Sequence, residues 1–240
     1  MTSMFNPNPI VQRVALHDGH ECLVVDEALA DPAAWVAWAC ERRDQFRPTG
    51  HAYPGLELWL GDERSAQLVA FFEAHLRPLL RVGPVIEAAS RASLVTLAPE
   101  ALAPMQRFCH RDNRGVPEDQ CVIASVIYLF DDATLGGTGF YRPRRPLEQV
   151  ETLVQDSRVL RAPVFEARYP EIARGYMVEG NDWFERVAAV PARFNRAVFY
   201  DGGIFHSGAI GRPEGLSDDP ARGRFTINGF MRCRREGSGG

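Results

Sequence analysis

The sequence predicts a mainly β domain with flanking α-helices. Its core is expected to be an antiparallel double-sheet barrel of the jelly-roll type, with N-terminal helices packed on one sheet. Three features predict this. From residue 90 onward, short β-branched and aromatic runs alternate with turns rich in Gly, Pro, Asn and Asp. Two helical patterns precede those runs, which suits helices layered on a sheet. The chain has 240 residues, of which 45% are hydrophobic and 24% charged, enough for one sizeable core.

The first ten residues are Asn- and Pro-rich and read as irregular. Residues 10–16 and 21–25 are rich in Val, Ile and Leu and read as short strands. Asp31 precedes Pro32 and a helical pattern through Trp35, Trp38 and Ala39, an N-cap with Pro at the first helical position. A second helix is predicted from Glu63 to Leu80, where Leu68, Phe71, Phe72, His75 and Leu76 fall at helical spacing. The stretch RPTGHAYPG between the two helices reads as a loop. Eight strand-like runs follow: SLVTLAP, MQRFCH, VIASVIYLF, GTGFY, FERVAAV, NRAVFY, IFHSGAI and FTINGFM. They are interrupted at 146–182, where LEQVETLVQDSRVL looks helical. That insertion would lie over the barrel mouth or on the outside of the barrel. The expected organisation is one domain over 1–240. It comprises a strand and helix layer at 1–89, a jelly-roll core at 90–233 and a flexible tail at 234–240.

The formal charge of −4, with no long Lys/Arg run, excludes an obvious nucleic-acid footprint. No stretch is long and apolar enough to span a membrane, and the N-terminus does not read as a secretory signal. The five cysteines, at 22, 40, 109, 121 and 233, include no C-x-x-C pair, so a reduced cytoplasmic protein is expected.

The chemistry concentrates at His110. It ends an apolar run and is followed by Arg111 and Asp112. In an extended chain, residues i and i+2 point to the same face, so His110 and Asp112 present an imidazole and a carboxylate to one point. A distant third ligand, for which His206 is the best candidate, would complete a two-histidine, one-carboxylate set with open positions for non-haem Fe(II). Those positions suit a bidentate 2-oxo acid and O2. Arg224 is the candidate partner for the far carboxylate of the 2-oxo acid, because its planar fork can bind a carboxylate twice. Thr226, two residues on, would offer a hydroxyl from the same face.

The ordered text HRD, VIYLF, GGTGFYRP, FYDGGIFHSG and RFT resembles the Fe(II)/2-oxoglutarate-dependent dioxygenase superfamily. The likeness is to its prolyl-hydroxylase-like branch, covers roughly residues 90–233, and is closest to a bacterial subgroup. The resemblance implies a double-stranded β-helix in which His110, Asp112 and His206 bind iron. It implies that Arg224, with Thr226, binds 2-oxoglutarate, and it places Tyr128 where the branch often has a tyrosine bonded to the same carboxylate. Phe130 departs from the family pattern, which has Asn there. The retained Asp112 favours hydroxylation or a related oxidation over halogenation, because the halogenating relatives have a small residue in its place.

Four residues are candidates for substrate contact: His51 and Tyr53 on the loop before the second helix, and Tyr141 and Arg142 after the Gly-Gly strand. Arg142 or Arg144 would suit an anionic or peptide substrate. The expected activity is oxidation of a peptide, an amino acid or a small metabolite. A Zn(II)-dependent hydrolase using the same three ligands, or a non-catalytic barrel that binds a partner, are the competing readings.

Overall fold

The computed structural model describes residues 3–49 and 52–235. It is built on a large antiparallel sheet, a small one facing it, and helices on both outer sides. β1 (Ile10–Ala15) and β2 (Glu21–Asp26) form a hairpin at one edge. α1 (Pro32–Glu41) follows, with the Asp31 carboxylate accepting the Ala34 N–H at 3.0 Å as predicted for its N-cap. The segment between the helices is more than a loop, because β3 (Arg47–Pro48) and β4 (Gly55–Trp59) pair there as the opposite edge of the sheet. Gly and Pro mask a strand signal in such a stretch.

The second helix ends earlier than its apolar pattern suggests. α2 (Asp62–His75) stops, and α3 (Arg77–Leu80) restarts around Pro78, which has no N–H for the helix and would clash with the carbonyl four residues back. β5 (Val82–Val95) begins well before the predicted strand, and β6 (Gln120–Tyr128) follows a long irregular segment. Between them, the expected strand 105–110 is absent. Pro104 opens a short turn, and the buried Arg107 guanidinium bonds twice to Leu102 O, at 3.1 and 3.0 Å, closing the segment into a loop. Only His110 makes a bridge, to His206.

β7 (Thr138–Pro143) leads into α4 (Leu147–Val159) and α5 (Ala162–Arg168). The chain then forms β8 (Phe184–Val190), β9 (Arg196–Asp201), β10 (Phe205–Gly208) and β11 (Arg224–Arg235). The large sheet has the order β1-β2-β9-β6-β11-β5-β4-β3 and the small one β10-β7-β8.

Strand alternation sorts the side chains into layers. On the outer face of the large sheet, Leu23, Val25, Ile127, Phe199 and Phe225 pack against Trp35, Leu68, Phe71 and Phe72 of α1 and α2, the predicted helix layer. On its inner face, Val24, Ala124, Tyr128, Val198 and Tyr200 meet Phe140 and Val190 of the small sheet. The outer face of the small sheet presents Tyr141, Phe184 and Phe205, and the 146–182 insertion covers these with Val150, Leu153, Phe165 and Tyr169. Among the described residues no helix is long and apolar enough to cross a membrane.

Candidate metal centre

The turn between β9 and β10 gathers the three predicted ligands. His110 and His206 exchange two backbone hydrogen bonds, each 2.9 Å, and the Asp112 N–H donates to Gly202 O at 2.7 Å. The result is a cluster in which one ligand atom from each of His110, Asp112 and His206 lies within 4.8 Å of the others. His110 Nε2 is 3.7 Å from Asp112 Oδ1, and His206 Nε2 is 3.2 Å from Asp112 Oδ2.

The tautomer of His206 follows from its neighbour. His206 Nδ1 is 2.8 Å from Ile204 O, a carbonyl that can only accept, so Nδ1 carries the proton. In the neutral ring, Nε2 therefore turns a lone pair toward a carboxylate oxygen. That oxygen, Asp112 Oδ2, is buried and receives no well-directed hydrogen bond. Two facing lone pairs at this distance need a cation between them, either a proton or a metal ion. The electrostatics show the same tension. Burial alone would raise the Asp112 carboxyl, but the imidazoles of His206 and His110 hold it below its usual value. Burial alone would depress His206, but Asp112 and the Ile204 carbonyl raise it. The donor set fits a divalent metal with open coordination positions.

The cluster faces a cleft of about 140 Å³ between the sheets, whose wall includes Ser125, Asn228, Thr138, Tyr176 and Arg224. Arg224 is 5% exposed. Its Nε donates to Leu135 O (3.0 Å) and Gly136 O (3.1 Å), and Nη2 to Gly137 O (3.3 Å), which leaves Nη1 without a hydrogen bond among the described residues. The Gly-Gly pair makes this cradle possible. Gly136 has φ +91°, and a Cβ there would sit 2.2 Å from Ala209 O; a Cβ on Gly137 would sit 2.0 Å from Val190 O. Thr226 is fully buried and pairs in register with Tyr128 on one side and Ser93 on the other.

A model built for a family of unknown function, DUF6445, matches residues 7–231. The chain belongs to that family. No curated protein matches it in sequence. Among solved structures it is similar to a Pseudomonas putida prolyl-4-hydroxylase, at 18% identity over 91% of this chain and 94% of that one, with a TM-score of 0.47. It is also similar to the non-heme alpha ketoglutarate dependent epimerase SnoN from nogalamycin biosynthesis, at 12% identity over 91% and 86% of the two chains and a TM-score of 0.46. A third is HygX from Streptomyces hygroscopicus with nickel, 2-oxoglutarate and hygromycin B bound, at 12% identity over 89% and 82%, with a TM-score of 0.44.

In this DUF6445 chain the other predicted residues separate. Tyr53 lines the inner cleft, and its hydroxyl sits against Thr226 and Ser93 within reach of the Arg224 charge. It therefore belongs to the Arg224 end of the site, where burial pushes its phenol well up. The Tyr128 hydroxyl is 2.6 Å from Thr138 Oγ1, and burial pushes it up to about 12.

Tyr141 and Arg142 do not face the opening. Tyr141 is fully buried on the outer face of the small sheet, with its hydroxyl donating to Val178 O at 3.0 Å. Phe140 packs between the sheets, and strand alternation therefore turns Tyr141 out. Arg142 is exposed and paired with Glu185 at 2.6 Å, and Arg144 is likewise on the surface. His51 lies outside the described residues. Among the cleft residues that escaped the sequence reading are two tyrosines. Tyr176, from the end of the insertion, donates to Leu97 O at 2.7 Å, and Tyr200 sets its ring edge-on to His206 at 4.7 Å between centroids. Tyr200 lies near the end of the strand that precedes His206 in the chain, the one signal that placed it near the site.

Proposed function

We propose that this protein is an Fe(II)- and 2-oxoglutarate-dependent oxygenase acting as one domain. His110, Asp112 and His206 would hold the iron, and Arg224 the far carboxylate of 2-oxoglutarate, with Thr226 and Tyr53 beside it. One observation carries the reading: the convergent two-histidine, one-carboxylate cluster opens on a cleft that also contains a nearly buried, carbonyl-cradled arginine. When bound, iron with 2-oxoglutarate and O2 supplies the oxidising power for a C–H bond that no side chain could attack unaided.

The chain's own groups orient and shield that chemistry. The Ile204 carbonyl holds His206 in the tautomer that frees Nε2. The Tyr200 ring blocks solvent from one side of that imidazole. The carbonyls of Leu135, Gly136 and Gly137 fix the Arg224 plane before any ligand arrives, so a dicarboxylate pays little ordering entropy there. Hydroxylation is the favoured outcome because Asp112 keeps the third ligand position, and the substrate is a peptide, an amino acid or a small metabolite.

The test is an anaerobic titration of the purified protein with Fe(II) and 2-oxoglutarate. A visible charge-transfer band is expected, followed on admission of O2 by succinate. Absence of both overturns the proposal. A Zn(II)-dependent hydrolytic activity insensitive to Arg224→Ala would replace it with a hydrolase at the same ligands.

A further inference from the structure

A second cleft, about 450 Å³, opens on the other side of His110. It shares Ala52, Met105, Phe108 and His110 with the inner cleft, so the imidazole of His110 stands between the two. The size suits an organic ligand of ordinary dimensions, whereas the inner cleft suits a small one. One wall is the 108–114 segment and the other is α4 of the insertion.

The lining divides by chemistry. Phe108, Val150, Val154 and Phe205 supply an apolar floor. Around it stand three guanidiniums, Arg111, Arg114 and Arg158, against a single carboxylate, Glu151. Arg111 is already engaged: it stacks over Phe205, 4.7 Å from the ring centroid, and lies 3.5 Å from Glu151. Arg114 and Arg158 form no ion pair among the described residues. They are close enough that, after partial burial, the Arg114 charge is the next cause depressing Arg158. Two exposed guanidiniums without an ion-pair partner among the described residues, lining one cleft beside an apolar floor in a chain whose net charge is −4, form an anion site.

We propose that this outer cleft is the substrate site and that it takes an apolar organic anion. Arg114 and Arg158 would hold the anionic group, a carboxylate or a phosphate, and the apolar body would lie on Phe108, Val154 and Phe205 toward His110. This assignment deepens the oxygenase reading and rests on it. It also replaces Arg142 and Arg144 with arginines that line a cleft adjoining His110. The guanidiniums recognise and position, while the oxidised carbon belongs to the apolar body, which would reach past His110, along the shared lining of Ala52, Met105 and Phe108, into the inner cleft that Asp112 and His206 also line.

The test needs no turnover. Two fluorescent probes share one aromatic body: 1-anilinonaphthalene-8-sulfonate is an anion, and N-phenyl-1-naphthylamine is neutral. Each is titrated into the full-length protein and its variants. The double variant Arg114→Gln/Arg158→Gln should bind the sulfonate at least about tenfold more weakly and the neutral probe unchanged. Val154→Trp, which fills the floor, should weaken both. Arg142→Gln, a surface arginine elsewhere, should change neither.

Displacement of the sulfonate by octanoate, octyl phosphate and octanol then identifies the head group. Octanoate alone points to a carboxylate and octyl phosphate alone to a phosphate. Displacement by octanol as strongly as by either anion overturns the proposal. So does an unchanged sulfonate affinity in the double variant, or an equal loss of both probes in it. Unchanged binding in Val154→Trp, or an equal effect of Arg142→Gln, also overturns it. Failure of the oxygenase reading looks different: no succinate forms from 2-oxoglutarate with Fe(II), whatever the probes do.

Discussion

Replacing Arg224 by Ala perturbs the inner cleft in two separable ways. The side chain is 5% exposed and donates to three backbone carbonyls, those of Leu135, Gly136 and Gly137. Stranding a buried acceptor costs about 1–3 kcal/mol, but the space left by the side chain opens onto the cleft and admits water to some of these carbonyls. A net stability loss of about 2–4 kcal/mol is therefore expected, read as a lower midpoint in denaturant titration. The second effect is on 2-oxoglutarate. Removing one partner of a buried, hydrogen-bonded charge pair costs about 2–5 kcal/mol. At about 1.4 kcal/mol per decade, the lower bound alone weakens binding about 30-fold.

The assay is an anaerobic titration of Fe(II)-loaded protein with 2-oxoglutarate, followed by the charge-transfer band. Arg224→Lys sharpens it, because it keeps the charge but has no Nε–H for the carbonyls of Leu135 and Gly136. It should recover part of the stability and little of the affinity. A folded Arg224→Ala protein that binds 2-oxoglutarate within about threefold of the wild type would refute the role assigned to the arginine.

Asp112→Ala removes the only carboxylate of the cluster and should weaken divalent-metal binding by at least about 100-fold, measured by calorimetry with Co(II) in place of Fe(II). Gly136→Ala forces a Cβ to 2.2 Å from Ala209 O at φ +91°. A loss of at least about 1–3 kcal/mol is expected on unfolding, together with weaker 2-oxoglutarate binding, since Gly136 O holds Arg224. Glu166 is held down to about 2 by hydrogen bonds from Arg174 and Arg107. Its folded value lies below the usual value of about 4.3, so its contribution is fully present above that value and is lost as pH falls toward about 2. Thermal midpoints measured from pH 5 to pH 2 should fall more steeply for the wild type than for Glu166→Gln, and parallel curves would show that the Arg107–Glu166–Arg174 cluster contributes nothing.

How far the sequence could be read depended on whether a signal was local. The His110-x-Asp112 pair follows from the two-residue period of an extended chain. It survives although the surrounding strand does not form, because a single bridge to His206 keeps the backbone extended at His110. The helix of residues 147–159 was visible in its apolar spacing. That one of its faces would line a cleft against Arg111 and Arg114 was not, since this depends on a loop closed by Arg107 about 40 residues earlier. Tyr53 was legible as a site residue but not as a neighbour of Arg224. Its position depends on the β3–β4 hairpin, hidden by Gly50, Pro54 and Gly55. Tyr141 shows the limit of alternation: it puts Phe140 and Tyr141 on opposite faces of the GTGFY strand without saying which face is inside, and packing gives the inner one to Phe140.

The ligand geometry depends less on the two sheets than on one turn. His206 is the second residue of that turn's outgoing strand, His110 is bonded to His206 through both backbone groups, and the Asp112 N–H is bonded to Gly202 within the turn. All three ligand backbones are therefore tied to residues 202–206. The 110–112 segment has no strand of its own, so those hydrogen bonds are its main local restraint. On its outer side it meets α4, through the cleft and through the Arg111–Glu151 pair. A ligand seated between α4 and Arg114 would thus press on the segment that carries two of the three proposed metal ligands. Metal affinity and outer-cleft occupancy are expected to be linked, and by reciprocity the same factor must appear whichever is varied first. Measuring Co(II) affinity with and without saturating 1-anilinonaphthalene-8-sulfonate gives that factor directly, and a ratio of one would mean that the two sites adjoin His110 without communicating through it.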